Sequence, residues 1–334
     1  MTDILTAARE REAAGDVSGA IELLVDALAD GPDQALESAL LALRHRAFAS
    51  VEDGRSDHAT WPPPVEDHFP GGGVPEVAAA DLDAELVRSA LLHHGSLLVR
   101  GLVDEARAAS LRRAIDAAFA GAAIHRDDPH AEVGDGFVPF EPEPRYPFGV
   151  YERAFANFGS GVLGVDSPRA MHEMIAALEA AGVRGLLRDY FGEPAAFSVK
   201  KTTLRRTEPD SLAGWHQDGA FLGTQTRALN IWTALSPCGV DAPGLDVFPD
   251  RFEELVPTGG DEIYDWSVSN ETASRYDLSR VVRPAFDTGD ALLFDHMTLH
   301  RTGVDPAMTR TRYAIEMWFF APSTYPTDQI PILF

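Results

Sequence analysis

The stretch GDALLFDHMTLHRTG, residues 289–303, decides how the second half of this chain is read. Gly289 and Asp290 form a turn, and the apolar run Ala291 to Phe294 is closed at once by Asp295. A short apolar run between turn residues reads as a buried strand. Two histidines, His296 and His300, follow it closely. Working outward, runs of the same kind recur: SLLVR (96–100), AFSVKKTTLRR (196–206), RALNIWTALS (227–236), GLDVF (244–248), VVRPAF (281–286) and RYAIEMWFF (312–320). Many short strands divided by Gly, Pro and Asp indicate a sandwich or barrel and oppose a doubly wound parallel sheet.

Helical patterns precede these strands. An amphipathic helix follows Ser96–Arg100, and another is expected from Pro168 to Leu187, with Pro168 tolerated in its first turn. The expected fold is therefore mainly β, a barrel-like core buttressed by α-helices. The first fifty residues are also helical, with Ile21, Leu24, Val25 and Leu28 on one face and Leu36, Leu40, Leu43 and Ala47 continuing the pattern. GDVSGAIELLVDALADGP, residues 15–32, resembles the second half of a tetratricopeptide repeat. A solenoid needs several stacked repeats, so one copy implies an N-terminal helical hairpin, packed on the main domain or used for self-association or a protein partner. Pro, Gly and charged residues from Ser50 to Val77 oppose helix and strand and read as a linker. The division expected is 1–50 helical appendage, 51–80 linker and 81–334 main domain.

Among 334 residues, acidic side chains outnumber basic ones by 52 to 28, a formal charge of −24. Such a field repels phosphate backbones and anionic lipid, so neither nucleic acid nor membrane is an expected partner. Cys238 is the only cysteine, which excludes an intrachain disulfide and suits a reducing compartment. MTDILTAARERE lacks the basic and apolar segments of a signal peptide, and no apolar run is long enough to span a membrane. A cytoplasmic, soluble protein is the expectation.

Two motifs are set aside. GSGVLG, residues 159–164, matches the dinucleotide fingerprint but lacks a buried strand before it and a helix behind it, so it reads as a flexible loop. IHRDDPHAE, residues 124–132, holds one H-x-D, but its polarity and Pro129 make it a solvated loop. The other H-x-D, in AGWHQDGAFLG (213–223), differs. If this segment is extended, His216 and Asp218 project from one face. With a distant histidine, His300 or the competing His296, they supply two imidazoles and one carboxylate, the ligand set of non-haem Fe(II) oxygenases. That set leaves positions open for a chelating 2-oxo acid and for O2. The far carboxylate of 2-oxoglutarate needs a buried guanidinium, and Arg312 or Arg310 follows at the head of the last alternating strand. Asn230 and Trp232 share one strand face, and an inward amide needs a partner. One Lys and one Arg of Lys200, Lys201, Arg205 and Arg206 should also face inward.

These residues resemble the phytanoyl-CoA dioxygenase family of Fe(II)/2-oxoglutarate oxygenases across roughly Gly95 to Ala321. WHQD (215–218), NIWTAL (230–235), GDALLFDHMTLHRTG and RYAI (312–315) carry the resemblance. APGLDVFP (242–249) matches the segment between the ligands, but Asp250-Arg251-Phe252 stands where the family usually has Gly-Ser-His. The resemblance implies a double-stranded β-helix, a jelly-roll or cupin-like barrel. It implies His216, Asp218 and His300 as iron ligands and Arg312 as the anchor of 2-oxoglutarate. Trp232 would line the co-substrate pocket, and Thr302 matches a position whose hydroxyl assists there. The implied activity is hydroxylation of a small-molecule substrate with Fe(II), 2-oxoglutarate and O2, releasing succinate and CO2. Two other readings remain open: a zinc hydrolase on the same ligands, which leaves Arg312 unexplained, or a non-catalytic jelly-roll scaffold with a partner-binding hairpin.

Overall fold

Three helices open the chain: α1 (Thr2–Ala13), α2 (Val17–Leu28) and α3 (Gln34–Ala47). Asp16 and Asp33 cap the second and third, accepting from first-turn N–H groups that have no partner inside the helix. Ala8, Ala20, Leu24, Leu36 and Leu40 form a small core among them. The expected hairpin is thus a three-helix unit, and α3 is shared with the body. Leu41 belongs to the main core. Glu37 pairs with Arg169, and His45 bridges the Pro331 carbonyl at 2.7 Å and the Glu143 N–H at 3.0 Å. The computed structural model describes residues 2–52, 61–211, 214–259, 265–326 and 328–334. Residues 53–60 of the expected linker, and Ala213 of the H-x-D stretch, lie outside the described residues.

The rest of the expected linker is built into the fold. Trp61 packs on Tyr190 and Phe191 at centroid distances of 5.2 and 6.0 Å. β1 (Glu76–Ala78) pairs in parallel with β2 (Ser96–Arg100), covering a sheet edge that would otherwise be open. Around β2 come α4 (Ala84–His94) and α5 (Glu105–Asp127), then α6 (Val150–Phe158), β3 (Gly161–Leu163), α7 (Pro168–Ala180) and α8 (Val183–Phe191). Three expectations change here. The helix expected from Pro168 to Leu187 is broken by Gly182, whose φ of +75° ends α7 and starts α8. His125, Arg126 and Asp127 lie in the last turn of α5, not in a loop. Gly159 to Gly164 is no flexible loop either: β3 pairs with the next strand, although a helix still precedes it, which excludes the dinucleotide fold.

The strands then follow: β4 (Ala196–Thr207), β5 (Trp215–His216), β6 (Ala228–Ala234) and β7 (Gly244–Val247), with the single-turn α9 (Gly219–Leu222) between β5 and β6. β8 (Ser267–Val268) and the short α10 (Asn270–Ala273) precede β9 (Ala291–Phe294), β10 (His300–Gly303), β11 (Arg312–Phe320) and β12 (Pro331–Leu333). VVRPAF is not a strand; Pro284 interrupts it, and only Val282 and Phe286 make single bridges, to Val247 and Cys238. One sheet runs β1-β2-β9-β6-β11-β4-β12 with β3 on β4, and the other runs β7-β10-β5-β8. Alternation on each strand sorts its residues between two cores. Leu98, Trp232, Phe294, Ala314 and Trp318 face the second sheet's Leu245 and Val247, forming the barrel interior. Val99, Ile231, Leu293, Ile315 and Phe319 face the helices. The molecule is a jelly roll with helices on the outer face of its larger sheet. Among the described residues, no helix is long and apolar enough to cross a membrane.

Candidate metal centre

β5 is only two residues long, and its alternation places Trp215 against Phe248 in the outer core of the smaller sheet. His216 takes the opposite face and stands directly across from His300 on β10, with ring centroids 4.3 Å apart. Asp218 does not reach the site by strand alternation. The strand ends at His216, and Asp218 has helical dihedrals (φ −64°, ψ −20°) at the head of α9. The turn brings its carboxylate back beside the two rings. Gln217 between them is a staple: it accepts from Val256 N–H and donates to the Met297 carbonyl, both at 2.7 Å.

Ligand-capable atoms of His216, Asp218 and His300 all lie within 4.8 Å of one another. No other such group of three occurs among the described residues. His296 stays apart, buried with its Nε2 3.4 Å from the Thr224 carbonyl. His125 rests its ring on Phe137, away from any cluster.

Hydrogen bonding prepares these rings. Nδ1 of His216 lies 3.0 Å from the Gly214 carbonyl, and Nδ1 of His300 lies 3.0 Å from the Thr298 carbonyl. A carbonyl can only accept, so each Nδ1 carries the proton and each Nε2 keeps its lone pair. Burial, with His300 nearby and despite Asp218, pushes His216 down to about 4, so its imidazole is neutral and fit to ligate. Asp218 is 1% exposed; Lys201 Nζ stands 3.0 Å from its Oδ1, and its Oδ2 accepts no hydrogen bond. Burial alone would raise its pKa; Lys201, His300 and His216 reverse that and hold it below its ordinary value. A buried carboxylate oxygen without a hydrogen bond is costly, so Oδ2 suits a second cation beside Lys201. Two imidazole nitrogens and one carboxylate oxygen are the donors Fe(II) takes, so the residues fit the group the sequence implied.

Arg312 begins β11 and points into the barrel, whereas Arg310 is exposed. Arg312 Nη1 donates to the Gly244 carbonyl and Nη2 to Thr207 Oγ1, each at 2.9 Å, while Nε is buried without a partner. Burial lowers its pKa to about 10, and among the described residues no carboxylate pairs with it. Trp232 lies under the guanidinium at 5.2 Å, braced by Phe286. Asn230 stands beside Phe294 and Trp318 in the interior, and Asn230 Oδ1 and Trp318 Nε1 both lack partners. Thr302, half-buried, sits two residues past His300 on the same strand. A buried, unmatched guanidinium whose Nε lacks a partner suits an acidic ligand.

Several site residues are visible only in three dimensions. Lys201 and Arg205 are the inward cations of β4; Lys200 instead meets Glu152 at 3.4 Å and Arg206 meets Asp116 at 3.1 Å. Lys201 Nζ is 3.0 Å from Asp218 Oδ1 and 3.4 Å from Glu316 Oε1, and Arg205 closes on Glu316 at 2.6 Å. Trp266 lies 5.4 Å from the His216 ring, and Phe221 packs on Trp266 at 5.6 Å. Trp266 comes from a segment that carried no signal in the sequence, whereas Glu316 and Trp318 could have been found from the alternation of β11.

Residues 91–304 match the family described as phytanoyl-CoA dioxygenase (PhyH). The chain belongs to that family. It is an Fe(II)- and 2-oxoglutarate-dependent oxygenase that uses O2. No curated protein matches the sequence. Among solved structures, EvdO2 from Micromonospora carbonacea var. aurantiaca, complexed with 2-oxoglutarate, is similar at 17% identity and a TM-score of 0.49, over 74% of this chain and 91% of that one. EctD from S. alaskensis, with 2-oxoglutarate and 5-hydroxyectoine, is similar at 17% identity and a TM-score of 0.47, over 71% and 75% of the two chains. The epimerase SnoN, in complex with Fe3+, alpha-ketoglutarate and nogalamycin RO, is similar at 17% identity and a TM-score of 0.45, over 71% and 83%.

Proposed function

We propose that the protein hydroxylates a small-molecule substrate, consuming 2-oxoglutarate and O2 and releasing succinate and CO2. One oxygen atom enters the substrate C–H bond and the other enters succinate. His216, Asp218 and His300 would hold Fe(II), and the convergence of their ligand-capable atoms within 4.8 Å of one another is the observation that carries the assignment. The metal, when bound, supplies the oxygen chemistry; the chain supplies orientation and a water-poor interior. Arg312 would hold the far carboxylate of 2-oxoglutarate, steadied by Trp232 and aimed by the Gly244 carbonyl and Thr207. Asn230 and Thr302 would meet the polar parts of the same ligand. The carboxylate at position 218 keeps the third protein ligand in place and leaves no vacancy for a halide, which favours hydroxylation over halogenation.

The test is an anaerobic titration. Purified protein receives Fe(II) and then 2-oxoglutarate, and the weak visible charge-transfer band of the chelate is followed beside His216→Ala. A band in the wild type that is lost in His216→Ala supports the site. Iron that fails to bind, or a band untouched by the substitution, would overturn it. Detection of a hydroxylated product and succinate in equal amounts from one substrate then separates hydroxylation from epimerisation or ring closure.

A further inference from the structure

The pairing of β4 with β11 slips beside the metal centre. Thr202 pairs with Met317, but the next pair is Phe197 with Phe319, so extra β4 residues are looped out opposite Trp318. Such a bulge re-aims side chains and is frequent beside active sites. Here it reverses the phase of the strand. Phe197 and Val199 face the helices, whereas Lys201 faces the barrel with Thr203 and Arg205. Its backbone N–H is fixed by Ser198 Oγ at 3.0 Å, so the turned geometry is held.

The charges there do not balance once the cofactors are counted, an argument that rests on the function proposed above. The positive groups are Fe(II), Lys201, Arg205 and Arg312; the negative ones are Asp218, Glu316 and the two carboxylates of 2-oxoglutarate. One positive charge is left over. Lys201 is the cation that changes partners, because its contact on Asp218 involves the carboxylate that the metal would claim. It is also reachable: its side chain is 17% exposed and lies 4.5 Å over the Phe221 ring. Phe221 meets Trp266 at 5.6 Å, and Trp266 meets both His216 and Phe155 of α6. A part-exposed cation and an aromatic cluster therefore border the same three candidate ligands.

We propose that Lys201 is a specificity-determining residue that receives a carboxylate of the substrate, whose apolar body lies against Phe221 and Trp266. The substrate class is a small carboxylic acid with an apolar or aromatic body. A residual positive charge in a partly dry site selects one negative charge on the ligand, and the aromatic faces take up apolar surface.

The full chain, loaded anaerobically with Fe(II) and 2-oxoglutarate, is screened against matched pairs of compounds. Each aryl or alkyl body is offered as the carboxylic acid and as its primary amide. Binding is read by the shift of the chelate band and by saturation-transfer NMR of the compound. Acids should bind about tenfold or more tightly than their amides, the size of a charge-assisted contact. Lys201→Gln should erase that difference while 2-oxoglutarate affinity stays within about twofold. Lys201→Arg and the outward-facing Lys200→Gln should keep it. Should Lys201→Gln fail to fold, Lys201→Met against Lys201→Arg makes the same comparison. The proposal is overturned by acids and amides that bind alike, by no acid that binds, or by a difference surviving Lys201→Gln. Loss of 2-oxoglutarate binding in Lys201→Gln would overturn it too, placing the cation on the co-substrate. A chelate band with no acid preference sinks this inference alone; absence of the band sinks the metal assignment beneath it.

Discussion

The guanidinium of Arg312 shows how much one buried side chain can carry. It is desolvated, stacked on Trp232 and held by two neutral oxygens, an arrangement that aims it without neutralising it. Arg312→Gln should raise the 2-oxoglutarate concentration needed for half the chelate band by about ten- to a hundredfold, the worth of a charge-assisted contact. Fe(II) affinity should change little, because Arg312 touches none of the three metal-facing residues. A variant that loses iron and co-substrate together would show instead that Arg312 supports the barrel. At this scale the sequence was informative: two imidazoles, a carboxylate and an arginine in order on strand-like segments. It could not choose between Lys200 and Lys201, since a strand's phase cannot be carried across a bulge. Nor could it show that Asp218 reaches the site through a turn.

Turns and termini set where each element sits. Gly289 precedes β9 with φ of +90°, and a Cβ there would lie 1.8 Å from the Val103 carbonyl oxygen. That oxygen is backbone and cannot swing aside. Gly289→Ala should therefore cost about 3 kcal/mol or more, read as a lowered urea midpoint at unchanged slope. A loss under about 1 kcal/mol would contradict the tight approach. The neighbouring turn residue acts through its side chain instead. Asp290 accepts from Gly101 N–H, Asp287 N–H and Arg100, pinning the edge of the larger sheet.

His45 on α3 makes a pH prediction. Its Nδ1 donates to the Pro331 carbonyl while Nε2 accepts from Glu143 N–H, which requires the neutral ring. Burial holds its pKa below the ordinary 6.5. The unfolded chain then binds this proton at a higher pH than the folded one, so stability falls as pH drops below about 6.5 and levels off only under the depressed folded value. Unfolding midpoints measured from pH 7.5 downward should show this slope in the wild type, reduced in His45→Gln. Equal slopes would remove His45 from the account.

Across the whole molecule, the N-terminal helices behave as two parts. α1 and α2 contact mainly the small core of their own unit, while α3 contributes Leu41, His45 and Glu37 to the body. We propose the division into an appendage (1–50), a connecting segment (51–80) and the oxygenase body (81–334), with α3 as the docking element. Deleting residues 1–31 should leave a folded protein whose chelate band is intact. Deleting 1–50 should lower the melting temperature by several degrees or more, because Leu41's contacts and the buried polar groups around Pro331 and Glu143 lose their cover. If the longer deletion melts like the full chain, α3 is not part of the body. Sedimentation of both truncations, compared with the full chain, reports whether α1 and α2 hold copies together.

Local pattern by itself determined the strand-rich second half, the helices before it and the three residues that the fold brings together at the candidate site. Those follow from residue periodicity, from turn formers and from the few side-chain types whose chemistry suits a metal ion or a carboxylate. The alternating run Arg312 to Phe320 already separates an interior face from a helix-facing one, and the structure keeps that division. Only the tertiary structure decided that β1 leaves the linker to cover a sheet edge, that Gly182 divides a helix, and that VVRPAF makes isolated bridges. It also decided that Lys201, from a bulge, meets Asp218 and that Trp266, from an unmarked loop, packs on His216. Such features arise from contacts between residues far apart in the chain. Their free energy comes from packing and charge pairing across the fold, which no local window of sequence contains.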